Sequence, residues 1–477
     1  MRKNLLGLLI VSLALALIQP IAVASVKPGT MCKKLGQTST TAGIKYTCIK
    51  SGKKLVWNKG VAVKRTTPTP TPIATPTPTP SATPTATASP IPTPSPTATR
   101  ASFEITDAGK FKNFSTCQIS TKLNTSEHYG FPRPKDVIPT LGERRAIALF
   151  VYFDDLPFEQ RQIEEWRNNQ IPTFERYIEK MSFGKLKYKV DMHLKPLHIK
   201  KSVLTYNLDT DHDAPQKPNA NAGGLVSDAV MLADADIDFS KYEFINVVTP
   251  WTKLIGFEGT TGIRLTADGK QFNYSSFGPI REYVDDPTKN IWLLHEVGHM
   301  MGLIHQFNVR GDWGRTGYPI WSAMANGTSA LPEFMAWEKF LVNWFSADQV
   351  RCIDGADDTS YTIKLTSLSE TDSGVKVAMI KLAANQILVI ESRRTSSLGT
   401  MSKSEEGVLA YFIDADIRGN EGTATPIFVD PRTRRLPSGG GAFIGTLQKG
   451  DSVSSKGFKI EVLDADSLSD VIRISKG

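Results

Sequence analysis

Apolar runs at 145–153, 185–194 and 243–249 predict strands, and helical patterns at 157–181 and near 224–235 predict the helices between them. This β-α-β order predicts an α/β (α+β) region over 101–350, a mixed sheet with packed helices. Residues 262–280 read as irregular strands or a hairpin, and 289–302 as a helix. From about 351 the texture changes. Tyr361-Thr362-Ile363-Lys364-Leu365 and Lys376-Val377-Ala378-Met379-Ile380 are short alternating runs, divided by Gly, Ser and Asp. They predict an antiparallel, β-sandwich-like domain over 351–477, with Gly450–Val453 and Phe458–Val462 in its last strands.

The first hundred residues are built differently. Arg2 and Lys3 precede an apolar run from Leu5 to Ile18, and Ala22-Val23-Ala24 follows. This pattern predicts a secretory signal peptide over 1–24, cleaved before Ser25. The run is short for a membrane span, and no later stretch of ~20 apolar residues occurs, so the mature chain is expected to lack a transmembrane segment. Residues 25–65 form a small module with Cys32 and Cys48, and with Tyr46 and Trp57 as expected core aromatics. A segment so short buries little core, so a Cys32–Cys48 disulfide is expected in an exported chain.

Charge sharpens the picture. The chain carries a formal +8, yet the module alone holds ten Lys or Arg and no Asp or Glu. The remainder, 101–477, is therefore acidic on balance, and nucleic acid is not an expected partner. The module's basic surface suits anionic cell-wall polymers; the other reading is a solubilising appendage. Residues 66–100 are almost wholly Pro, Thr, Ala and Ser. Such a linker stays extended, at up to ~3.1 Å per residue, and spans roughly 100 Å. A secreted, wall-associated location follows as the expectation.

The chemistry is concentrated in residues 295 to 305, His-Glu-Val-Gly-His-Met-Met-Gly-Leu-Ile-His. On a helix, His295 and His299 lie one turn apart on one face, where two imidazoles can hold one Zn²⁺. Gly302 can adopt φ > 0 and end the helix sharply, which returns His305 as a third ligand. Three protein ligands with one open position describe a catalytic zinc site. Glu296 stands beside the first ligand, placed to reach a zinc-bound water without ligating the metal. Zinc lowers the pKa of that water toward ~7, and Glu296 acts as general base and then proton donor to the leaving amine. The expected activity is that of an endopeptidase acting on a protein or peptide substrate.

The long signature followed by a methionine turn resembles the metzincins. The candidate turn is Trp321-Ser322-Ala323-Met324-Ala325-Asn326-Gly327. The resemblance makes Met324 the hydrophobic floor beneath the zinc and implies a zincin/metzincin-like catalytic fold. Plain core packing is the alternative for Met324. The tyrosine that some metzincins carry just after the turn is absent, since Ala325 and Asn326 stand there.

Ala146–Asp155, Tyr177–Leu186, Ala233–Tyr242, Pro332 with Trp337-Glu338-Lys339 through Trp344, Val389–Arg393 and Gly407–Tyr411 follow in that order around the motif. Together they resemble segments of secreted bacterial metallopeptidases similar to immune inhibitor A. Many of those relatives carry Asp as third ligand, where this chain has His305.

Other readings stay open. Cys117 and Cys352 can pair as a disulfide clamping the two ends of the enzyme region. Alternatively the Cys117 thiolate can occupy the open zinc position in a latent form. Asp209, Asp211 and Asp213 alternate as Ca²⁺ ligands do, but the EF-hand glycine and terminal glutamate are missing, so a solvated acidic loop is the favoured reading. Asn273, Tyr274 and Ser275 are candidates to line the substrate cleft. His128, His193, His198 and His212 show no metal spacing. Two rival functions remain: a zinc hydrolase of cell-wall amide bonds, and a catalytically idle cell-surface binding or scaffold protein.

Overall fold

The computed structural model describes residues 30–32, 37–41, 44–51, 54–59, 61–62, 102–158, 160–208, 221–250, 261–273, 275–279, 292–306, 321–324, 333–370, 373–403, 405–418, 424–427 and 445–477. The signal peptide, the linker, the Asp209–Asp211–Asp213 loop with His212, Tyr274 and the residues after Met324 in the turn lie outside them. The chain divides into two units, Met1–Thr97 and Ala98–Gly477.

In the first unit, Ile44–Ser51 is the central strand. It pairs antiparallel with Thr38–Thr41, Lys54–Trp57 and Val61–Ala62. Tyr46, Cys48 and Trp57 form its small core, and Cys32 bonds to Cys48. With three buried side chains, a covalent staple is the natural source of further stability.

The second unit is mixed α/β, with several sheets and few helices among the described residues. Strand β1 (Gly142–Phe153) leads through Gln160–Glu165 and a π-helical stretch, Trp166–Gln170, into α1 (Ile171–Met181). Strand β2 (Leu186–Ile199), helix α2 (Ala222–Ala233), strand β3 (Ile245–Thr249) and strand β4 (Ser275–Pro279) follow. The sheet order is β4-β3-β1-β2. Every described pairing in this sheet is parallel, where a mixed sheet was expected. Helical crossovers account for β1 lying parallel to β2 and β3, because a connection through a helix returns the chain in the same direction. A short hairpin, Leu265–Ala267 with Lys270–Phe272, lies where 262–280 predicts one.

Because helices cover both faces, β1 is buried on both. Ala146, Ala148 and Phe150 enter one core, and Ile147, Leu149, Val151 and Phe153 enter a second with α2. The first core also takes Leu293, Leu294, Val297 and Met300 of α3 (Trp292–Met300), Met324, and Trp337 and Phe340 of α4 (Ala336–Leu341).

The C-terminal strands repeat this two-faced burial. Strands β5 (Val350–Asp354), β6 (Val377–Ala383), β7 (Gln386–Arg393) and β8 (Gly407–Asp414) lie in this order in one sheet. Val377, Met379, Ile387, Val389, Leu409 and Tyr411 face the core shared with α3. Ala378, Ile380, Leu388, Ile390, Val408 and Ala410 face a separate core shared with the antiparallel sheet of Tyr361–Thr366, Ser469–Lys476, Phe458–Ala465 and Ser452–Ser455. The period of two along each strand thus distributes side chains to two cores. Cys117 bonds to Cys352 at the start of β5, fixing residues near 117 to this sheet. That bond consumes the thiol that the latent-form reading of Cys117 requires.

Candidate metal centre

Helix α3 carries His295, Glu296 and His299, and its C-terminus is closed by a Schellman arrangement. Leu303 N–H donates to Gly298 O at 3.0 Å and Gly302 N–H donates to His299 O at 2.8 Å, with Gly302 at φ +81°. Arg133 Nη2 donates to the Gly302 carbonyl at 2.6 Å, which places a cation at the negative end of the helix. The reversal brings His305 back. The three Nε2 atoms of His295, His299 and His305 then lie 3.1, 2.9 and 3.1 Å apart.

Hydrogen bonds on the far ring nitrogens fix which nitrogens face inward. His295 Nδ1 lies 2.8 Å from Ala323 O, and His299 Nδ1 lies 2.9 Å from Leu303 O. A carbonyl only accepts, so each Nδ1 carries the proton and each Nε2 presents its lone pair. Converging lone pairs repel unless a cation sits among them. With Zn–N bonds of about 2.0–2.1 Å, a tetrahedral zinc sets its ligand nitrogens about 3.3 Å apart, close to the spacings here. The group can hold a metal ion.

Glu296 is 7% exposed, and its charge is among those that hold His299 toward protonation. Met324 is fully buried beside the helix. A Cβ built on Gly298 would stand 2.2 Å from Met324 Sδ, so Gly298 is the residue that lets the turn approach the helix. In the sequence Gly302 stands out by its spacing from the histidines, whereas Gly298 does not.

Glu127 was also missed. Its Oε2 lies 3.2 Å from His299 Nδ1, so that one N–H has both a carboxylate and the Leu303 carbonyl as acceptors. Burial pulls His299 toward the neutral form, and Glu127, Glu296 and the Leu303 carbonyl together outweigh it, so the net shift is upward. A carboxylate behind a ligand histidine orients the ring and raises its basicity. Glu127→Ala is expected to weaken zinc binding by about 10–100-fold, measured by competition with a chromogenic chelator. Unchanged affinity in the folded variant would rule the role out.

The remaining described histidines lie elsewhere. His128 is buried, and its Nδ1 accepts from Gly130 N at 3.3 Å. Burial, then Arg133, lowers its pKa to about 4. His193 lies 3.9 Å from Asp236, and His198 pairs with Asp154 at 2.8 Å while stacking on Tyr152. Ser275 is buried at the start of β4 and Asn273 is half-buried just before it.

No protein-family model matches the chain, and no curated protein matches it in sequence. Among solved structures, wild-type OgpA from Akkermansia muciniphila is similar over 63% of this chain and 96% of that one, at 12% identity and a TM-score of 0.27. At that score the likeness carries no inference about fold or activity.

Proposed function

We propose that the chain is a secreted zinc endopeptidase, with a zincin-like catalytic region over 101–350 and a sandwich-like domain over 351–477. The observation that carries this reading is the convergence of three histidine Nε2 atoms at one point, with the buried Glu296 on the helix that carries two of them. His295, His299 and His305 hold the ion through those nitrogens. Zinc held there would supply Lewis-acid chemistry and acidify a water at the site. Glu296 accepts the proton of the attacking water at its carboxylate and returns it to the leaving amine. The Ala323 carbonyl and Glu127 keep the rings turned inward while this occurs.

Casein cleavage by the purified chain tests the reading. Cleavage is expected to stop when a chelator removes the metal and to return with zinc. Release of soluble fragments from peptidoglycan without casein cleavage would favour the wall-amidase reading. A zinc-loaded chain inert on both would favour the scaffold.

A further inference from the structure

Glu338 is fully buried on α4, and its carboxylate gathers groups from three separate segments. Tyr129 Oη donates to its Oε1 at 2.5 Å, and Gln306 Nε2 donates to the same oxygen at 3.3 Å. Ser322 Oγ lies 2.8 Å from both oxygens, and Met335 N–H donates to Oε2 at 2.6 Å. The last contact closes the start of α4; the other three lead to the metal centre.

Each of those three segments supports one histidine. Gln306 directly follows His305. Ser322 precedes Ala323, whose carbonyl receives His295 Nδ1. Tyr129 lies two residues after Glu127, which receives His299 Nδ1. The segments are also cross-linked. Met324 N–H donates to Ser322 Oγ at 2.9 Å, and Gln306 N–H donates to Met324 O at 3.1 Å. Trp337 Nε1, next to Glu338, donates to Tyr129 O at 3.1 Å.

We propose that Glu338 is a positioning residue for the metal centre, one carboxylate that holds the supports of all three histidines in register. The proposal rests on the three histidines being metal ligands; it does not depend on the substrate. Among the described residues no cationic side chain pairs with Glu338, and burial pushes its pKa up to about 7 against the pull of its four donors. An unpaired buried carboxylate is a poor device for stability alone. Four donors converging on two oxygens do suit a rigid junction.

Glu338→Gln in the full chain tests this. It keeps the shape and presents an NH₂ to groups that now donate. Zinc affinity by chelator competition, the visible spectrum of the Co²⁺-substituted protein and the melting temperature are read together. The expected result is about 10–100-fold weaker zinc binding and an altered Co²⁺ spectrum in a chain that still melts cooperatively. A lowered melting temperature with parental affinity and spectrum means a structural role only and overturns the proposal. If Glu338→Gln does not fold, Ser322→Ala and Tyr129→Phe decide. Each removes one link, and parental affinity in both overturns the proposal. A parent that binds zinc but cleaves no casein sinks the peptidase reading and leaves this test intact. A parent that binds no zinc sinks both.

Discussion

Glu296→Ala is expected to bind zinc within about tenfold of the parent and to hydrolyse casein roughly 10²–10⁴ times more slowly, the usual contribution of a positioned acid–base group. The two readouts separate because Glu296 is outside the three-histidine group that can hold the ion. Its charge does reach the site, since it is one of the groups raising the pKa of His299. Losing that charge weakens attraction for a cation modestly, through the field and not through a lost ligand. Proton transfer has no such substitute within α3, where the neighbouring buried side chains Leu294 and Val297 are apolar. The comparison is made on metal-saturated protein, so that activity reports chemistry and not occupancy. If the variant keeps more than about a tenth of the parental rate, Glu296 is not the base. If it loses zinc as fully as a ligand variant does, its role is to hold the ion.

Much of this centre was legible in the chain because it is local. His295, His299, Gly302 and His305 fall within eleven residues, and helix geometry with the turn at Gly302 brings them together. The strands at 145–153, 185–194 and 243–249 were legible for a related reason. Double burial in a parallel sheet makes apolar runs such as Ala146–Val151. The direction of pairing was legible in part, because continuous apolar runs separated by helices favour parallel neighbours, and the mixed-sheet expectation left that signal unused. Glu127, Gly298 and Glu338 were passed over for different reasons. Gly298 reads as an ordinary helix residue until Met324 is placed against it. Glu127 lies far before its histidine in the chain, and Glu338 binds groups 32 and 209 positions away. No periodicity records such contacts. The same holds for Cys117 and Cys352, 235 residues apart, where the number of cysteines left two readings open.

A second large effect belongs to the buried charges beneath this centre. Lys339→Met is expected to remove about 3–5 kcal/mol of unfolding free energy at neutral pH, the cost of stripping one partner from a buried ion pair. Lys339 Nζ lies 2.5 Å from Glu333 Oε1, and both side chains are fully buried. Glu333 Oε2 accepts from Ser369 Oγ at 2.5 Å and lies 3.8 Å from Arg393 Nη1. Arg393 in turn pairs with Glu391 at 3.0 Å, and its Nη2 donates to Trp321 O, three residues before Met324. Without the ammonium, Glu333 keeps, among the described residues, the Ser369 hydroxyl and a distant cation that Glu391 already shares.

The pH dependence separates this cause from simple loss of packing. Burial pushes the Glu333 carboxyl up, but Lys339 and then Arg393 outweigh it and hold it below the ordinary carboxylate range. In the parent, Glu333 therefore contributes stability above that range, lost as pH falls through its lowered pKa. In Lys339→Met burial prevails, the carboxyl takes a proton at higher pH, and a neutral acid is far less costly to bury. The gap between parent and variant should be widest at neutral pH and close on acidification. Denaturant midpoints across that span measure it. Adding Glu333→Gln to Lys339→Met should recover part of the loss, because the stranded charge leaves with its partner removed. A deficit that is flat with pH and undiminished in the double variant would show that the packing of the lysine stem matters more than its charge.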